Sequence, residues 1–312
     1  MVSTEDTGKR LDRFLAEQLP DTSRARIQDW IHAGRVMLNQ TPAKASARLR
    51  GGEQLSVDPA PAQPLRAYPE EIPLDILYED DDLAAINKPA GLTVHAGAGV
   101  KSGTLVNALL HHFGRLSNQG DDLRPGLVHR LDRMTSGVLL VAKNDLAHRR
   151  LAEQFQARQV RKTYWALVHG NPAKQRRGGR VVVVEKQRWT RLEMPIGRDT
   201  RRRTRMAPRP AGRAAQTDFR VLRELGKYTL LEVRIATGRT HQIRVHLAAI
   251  GHPVVGDRLY GAPAADPNLP KLGRFLLHAK EIQFLHPSTG ADVQIEAPLP
   301  AEFSSLLEPL SV

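Results

Sequence analysis

The run Val138-Leu139-Leu140-Val141-Ala142 constrains this chain more than any other segment. It is an unbroken apolar stretch of strand length, and the residues just before it, His129-Arg130-Leu131-Asp132-Arg133, are mostly charged. A strand that is apolar on both faces must be covered on both faces, which places it inside a layered sheet. A charged loop that leads straight into such a strand is held at the rim of the core by a rigid element, the setting a catalytic side chain needs. Residues 83–89, Leu-Ala-Ala-Ile-Asn-Lys-Pro, predict a second buried strand that stops at Pro89, with Gly91 as the turn beyond. In residues 103–113 the positions of Leu105, Leu109 and Leu110 share one helical face.

Upstream, Pro59, Pro61, Pro64, Pro69 and Pro73 mark residues 59–73 as an extended linker. The zone before it, residues 1–58, reads as a compact α-then-β module. Leu11, Phe14, Leu15 and Leu19 form one helical face. Asp21, Thr22 and Ser23 offer N-cap oxygens to a second helix over residues 24–33, whose apolar face is Ile27, Trp30 and Ile31. Gly34 suits the left-handed stop. Val36 to Leu38 predict a short strand, Asn39-Gln40 a turn, and residues 54–57 a last strand. Two helices leading into small strands suit a module that binds RNA.

Charge narrows the partners. Lys plus Arg number 46 against 33 Asp plus Glu, a net charge of +13, which favours a polyanion and nucleic acid first. Residues 1–58 hold nine Lys and Arg against eight Asp and Glu, so +12 of that excess lies in the rest of the chain. Contact with RNA in the first zone therefore needs a local face, for which Arg24, Arg26, Arg35 and Lys44 are the candidates. Arg198, Arg201, Arg202, Arg203, Arg205, Arg209 and Arg213 crowd residues 198–213 beside the single acid Asp199, a pattern that fits contact with a phosphate backbone. The chain has no cysteine, which excludes a disulfide scaffold, a thiol nucleophile and thiolate-held metal. No run approaches the roughly 18 apolar residues of a membrane span, and the first ten residues lack a secretory apolar region. The expectation is a cytoplasmic protein with no membrane partner.

A second cluster, Thr237-Gly238-Arg239-Thr240-His241-Gln242-Ile243-Arg244-Val245-His246, follows a predicted strand over residues 230–235 and turns helical. Its paired Arg and His residues suit a phosphate or a carboxylate. His241 and His246 are not spaced i, i+4, and no acidic ligand accompanies them, so no metal site is expected. The Gly-rich stretch 97–103 lacks the glycine that a phosphate loop places before its lysine; Val100 stands there.

Taken together, NKPAGLTVH, HRLDRMTSGVLLVAK and GRTHQIRVHLAAIGHPVVGDRLYG resemble the RluA-type pseudouridine synthases, in the same order and spacing. The resemblance spans residues 74–290 and is nearest to the branch that modifies large-subunit ribosomal RNA. RLDRFL, SRARIQDWIHAGRVMLNQ and GGEQLSV resemble the S4 RNA-binding domain. The resemblance implies an α+β fold: a catalytic domain over residues 74–312 on a mostly antiparallel mixed sheet, preceded by an S4-like domain. It implies that Asp132 is the essential carboxylate, acting as nucleophile or by assisting loss of a ribose proton. It implies that Arg130 fills the space left by an extruded nucleotide, that Tyr164 stacks on the flipped uracil and that Arg244 pairs with Asp132. Ile243 then lines the pocket.

Elementary physics is compatible with these roles. A base in a stack must be flipped out before its sugar bond is reached, at a cost of a few kcal/mol. A tyrosine face returns roughly 1–3 kcal/mol per stacked base. An isomerisation needs no cofactor, and none is expected. The expected partner is large-subunit ribosomal RNA or a pre-ribosomal particle, met by a monomer. A synthase directed at transfer RNA would share every catalytic motif, whereas a non-catalytic RNA-binding or assembly factor would not need Asp132.

Overall fold

The computed structural model describes residues 1–312 except 21, 23, 60–66, 98–99, 115, 120–122, 175–178, 203, 268 and 308–312, and the backbone alone at 25. Two compact units are present, Met1–Pro64 and Leu65–Val312. Much of the expected linker lies outside the described residues. Its described end, 67–73, runs along the second unit, where Asn107 Nδ2 donates to Tyr68 O at 2.7 Å and Glu70 N donates to Asn107 O at 3.0 Å.

In the first unit, α1 (Leu11–Gln18) and α2 (Arg24–His32) precede β1 (Val36–Leu38), β2 (Thr41–Pro42) and β3 (Leu55–Val57), in sheet order β2-β1-β3. Leu11, Phe14 and Leu15 meet Ile27, Trp30 and Ile31 in a small core closed by Val2, Val36 and Leu49. The expected caps Asp21 and Ser23 lie outside the described residues. Gly34 does adopt the left-handed conformation, with φ +70. Asn39 and Gln40 both have positive φ, 50 and 63, as a tight hairpin turn demands. Sequence reasoning missed β2, because two exposed residues carry no alternation to read.

The second unit is a ten-stranded sheet with helices packed on it. Its elements are β4 (Ile76–Glu79), β5 (Leu83–Lys88), α3 (Leu105–Phe113), β6 (Ser136–Ala142), α4 (Asp145–Gln156), β7 (Arg161–His169), β8 (Arg180–Val184) and β9 (Gln187–Glu193). After these come β10 (Ile196–Arg198), β11 (Met206–Pro208), β12 (Gln216–Leu225), β13 (Tyr228–Ile235), α5 (Gln242–Ala249), β14 (Leu277–Leu285), β15 (Asp292–Glu296) and α6 (Ala301–Leu307). The strand order is β4-β5-β6-β14-β7-β13-β12-β9-β8, with β15 also on β14, while β10 and β11 form a separate hairpin.

As its apolar run demands, β6 is buried at all seven positions. It pairs antiparallel with β5 and parallel with β14, and this is the only parallel pair among the described strands. The parallel contact is short, Ser136 against His278 and Gly137 against Ala279. Gly137 makes it feasible. Its φ is +110, and a Cβ there would lie 2.2 Å from the Ala279 carbonyl oxygen. On one side of β6, α4 starts at Asn144, whose side chain accepts from Ala147 N, and buries Ala147 and Leu151. Thr104 and Asn107 close a reciprocal cap on α3. The main core thus surrounds the strand that follows the charged loop.

Candidate active site

Asp132 lies in the loop that feeds β6, and this loop is fixed through its own backbone. Thr135 N donates to Asp132 O at 3.0 Å, and Gly91 N donates to Arg133 O at 2.9 Å. Below it, the Lys88 ammonium donates to Pro89 O at 2.7 Å, Leu92 O at 3.0 Å and Arg133 O at 3.1 Å. One buried cation therefore joins the turn after β5 to the loop that holds Asp132. Burial, helped by the charge of Arg274 and opposed by that of Asp132, lowers the Lys88 pKa to about 7.

The guanidinium of Arg244, on α5, reaches two carboxylates. Nε donates to Asp257 Oδ2 at 2.6 Å and Nη2 to Asp257 Oδ1 at 2.9 Å, which leaves Nη1 to donate to Asp132 Oδ2 at 3.0 Å. The group lies over Phe275 at 4.1 Å and Tyr260 at 4.9 Å. Burial works against its charge, and Asp257 and then Asp132 outweigh that, so its pKa is raised. A buried ion pair is held only when its remaining hydrogen-bonding groups are satisfied, and Asp257 meets that need here. Among the described residues Asp132 Oδ1 accepts no hydrogen bond. It is the oxygen left to act on a ligand.

Tyr164 on β7 is buried, and burial together with the charge of Asp132 pushes its phenol above the usual tyrosine range. It therefore stays protonated. Ile243 is 4% exposed and lines the same cavity as Asp132, Tyr164 and Arg244. Arg130 is exposed and also lines it. The cavity has a volume of about 450 Å³, within the range of small-molecule sites. All five residues expected at the reacting centre thus converge on one space.

Three histidines of the motifs, His129, His246 and His241, are each engaged by neighbouring groups. His129 Nε2 accepts from Leu140 N at 2.9 Å and its ring stacks on Phe155, while burial, with the nearby charge of Lys162, lowers its pKa to about 3. His246 lies 2.9 Å from both Thr217 Oγ1 and Met194 O. His241 opens α5 with φ +57, and its Nδ1 lies 2.8 Å from Tyr260 Oη. Elsewhere Asp80, Asp82 and His286 bring three donor atoms within 4.8 Å. Asp80 is already engaged by Leu83 N at 2.9 Å, Tyr78 Oη at 2.5 Å and His286 Nε2 at 2.8 Å, so this group locks a turn.

The expected RNA-contact residues divide. Arg24 is bound to Asp12 at 2.7 Å and Arg35 to Asp58 at 3.0 Å. Arg26 lies 5.4 Å over the Trp30 ring, and Lys44 is exposed. In the β10–β11 hairpin, Arg198, Arg201 and Arg202 are exposed, and the tip is shaped by Asp199 Oδ1, which accepts from Arg201 N at 2.8 Å. Arg205 turns inward to 5.1 Å from the Tyr260 ring. Arg203 lies outside the described residues. Sequence reasoning missed Lys88, Asp257 and Tyr260 as site residues, although all three sit inside the motifs that carry the resemblance. An acid inside the GRTHQIRVHLAAIGHPVVGDRLYG motif was the available signal for Asp257.

Residues 82–249 match the family model described as RNA pseudouridylate synthase, and residues 9–55 match the S4 domain. The chain is 41% identical to the ribosomal large subunit pseudouridine synthase D of Yersinia pestis, over 99% of its own length and 93% of that protein's. It is 43% identical to an uncharacterized RNA pseudouridine synthase of Aquifex aeolicus, over 97% of this chain and 94% of that protein. Among solved structures, human RNA pseudouridylate synthase domain containing 1 superposes with a TM-score of 0.55 at 26% identity, covering 77% of this chain and 96% of that one.

Proposed function

The chain belongs to the RNA pseudouridylate synthase family and is an RNA pseudouridine synthase; we propose that its substrate is large-subunit ribosomal RNA and that Asp132 is the carboxylate on which the isomerisation turns. The observation that carries the second half is the state of Asp132. One oxygen is tied to Arg244, and among the described residues the other accepts no hydrogen bond, in a cavity of about 450 Å³. The substrate reading rests on near-full-length similarity to enzymes named for that RNA.

The reaction breaks the C1′–N1 bond of uridine, turns the uracil and joins C1′ to C5. The proton lost from C5 balances the one gained at N1, so nothing is oxidised and no group is donated. Arg244 holds Asp132 in place, because Asp257 fixes the guanidinium fork. Asp132 Oδ1 then faces the sugar, as nucleophile or as the group that assists loss of a ribose proton. Tyr164 supplies a neutral π-face for the uracil during its rotation, with Ile243 beside it. Arg130, exposed at the cavity, occupies the gap in the RNA stack. Residues 1–58 act as an S4 RNA-binding domain and 74–312 as the catalytic domain. We propose that the protein acts as a monomer. No helix among the described residues is long and apolar enough to cross a membrane, and we place the protein in the cytoplasm.

The test is to map pseudouridines in unmodified large-subunit ribosomal RNA after incubation with the wild type and, separately, with Asp132→Asn. Sites formed by the wild type alone support the reading. Sites formed equally by the variant overturn the role of Asp132, and activity on transfer RNA alone overturns the substrate.

A further inference from the structure

Besides Arg130, four cations on the walls of the Asp132 cavity have no counter-ion among the described residues. Arg158, Lys162, Arg213 and Arg239 all line it, and among the described residues none of the four makes an ion pair. They stand on four separate, firmly held pieces of backbone. Lys162 lies two residues before Tyr164 on β7, hence on the same strand face, with its ammonium 5.4 Å from the Phe155 ring. Arg213 is bonded to Ile196 in both directions, N to O at 2.9 Å each way. Arg239 Nε donates to Ala214 O at 3.1 Å, which directs the rest of the fork away from that carbonyl.

Arg158 is the most telling. It follows the end of α4 with φ +60, a left-handed position where glycine is the usual residue. An arginine there accepts backbone strain and still places its side chain at the cavity. The like charges also act on one another. Burial first, then the charges of Arg213 and Arg158, lowers the Arg239 pKa. An anion placed among these like charges would relieve their repulsion, and RNA offers one at every nucleotide.

We propose that Arg158, Lys162, Arg213 and Arg239 form a phosphate subsite that grips the RNA backbone beside the flipped uridine. The proposal rests on the pseudouridine synthase reading and adds what that reaction needs. Once C1′–N1 breaks, the uracil must turn while the ribose stays against Asp132. The flanking phosphates are the charged handles by which a protein can hold that ribose. Arginine forks bind phosphate oxygens in pairs, and the lysine adds a point charge.

The experiment measures kcat and KM for pseudouridine formation across salt concentrations, for the wild type, Arg213→Gln, Arg239→Gln, their double variant and Arg158→Gly. The expected result is a rise in KM of about tenfold per variant, equivalent to about 1.4 kcal/mol, with kcat within threefold. The plot of log(kcat/KM) against log salt should flatten by about 0.7 per lost phosphate contact. Inorganic phosphate should compete with RNA at the wild type and do so more weakly at the double variant. Arg158→Gly separates binding from scaffolding: relief of strain should keep or raise Tm while KM rises. Unchanged KM and slope in an active enzyme, or a lowered Tm with KM unchanged, would overturn the subsite. Calorimetric titration with inorganic phosphate reads the subsite without turnover. A wild type that binds phosphate through these residues yet modifies no RNA would count against the functional reading alone.

Discussion

The first unit and the cavity wall of the second treat several of their basic residues in opposite ways. In the first unit Arg10 and Arg24 both converge on the buried Asp12, with Gln28 as a further donor at 2.7 Å, and Arg35 is met by Asp58. Around the cavity, Arg158, Lys162, Arg213 and Arg239 have no carboxylate among the described residues. The difference teaches that a count of basic residues measures little. What draws a polyanion is charge that the fold leaves uncompensated, and the fold leaves it beside Asp132.

The sharpest way to break this contrast is at the reacting centre. Asp132→Asn should lower kcat on the order of 10⁴-fold or more while RNA affinity holds, as single-turnover assays with filter binding would reveal. Next comes Asp257→Asn, which leaves the buried Arg244 half satisfied. It should cost about 3–5 kcal/mol in urea unfolding of the second unit and reduce kcat as Asp132 loses its orientation. In the first unit, Asp12→Ala orphans two guanidinium groups and an amide. It should destabilise that unit by about 1–3 kcal/mol, followed by Trp30 fluorescence, with kcat at saturating RNA unchanged.

The two units should also respond to pH in separate windows. Arg10, against the opposing effect of burial and with Arg24 assisting, holds the Asp12 carboxyl well below its usual range. That stabilisation is complete above the ordinary carboxylate pKa and is lost as pH falls through the depressed one. Lys88, with its pKa near 7 in the folded chain against 10.5 unfolded, works the other way. Between those values the unfolded chain binds a proton that the folded chain does not, so stability of the second unit should rise from pH 7 toward 10.5. Replacing Lys88 with Met should remove that slope in thermal melts. The smallest effect belongs to the exposed Arg35–Asp58 pair, where Arg35→Gln should cost under about 0.5 kcal/mol.

The legible parts of the fold were those with strong local patterns. The apolar run of β6, the faces of α1 and α2, the Asn39-Gln40 turn and the glycine stop at 34 each follow from a few neighbouring residues. Asp132, Tyr164, Arg244, Arg130 and Ile243 were legible as a set through motif order, and the structure gathers them in one cavity. The two-residue β2 was not legible, because an exposed edge of that length obeys no hydrophobic period. Lys88 was not legible as a buried tie, since a lysine after an apolar run ordinarily reads as a strand end reaching water. Arg24 and Arg35 read as candidates for RNA, and only their distances to Asp12 and Asp58 reveal prior engagement.

By itself, then, the sequence determined which strand is buried on both faces, which charged loop leads into it, and that the net charge favours a polyanion. These follow from periodicity, turn chemistry and net charge, which are local or additive. Tertiary structure decided which charges are cancelled. Asp132 and Arg244 are 112 residues apart, and the pair exists because β6 and α5 bring both to one cavity. Ion pairing falls off over a few ångströms, so it depends on where the fold places side chains and not on how many the chain contains.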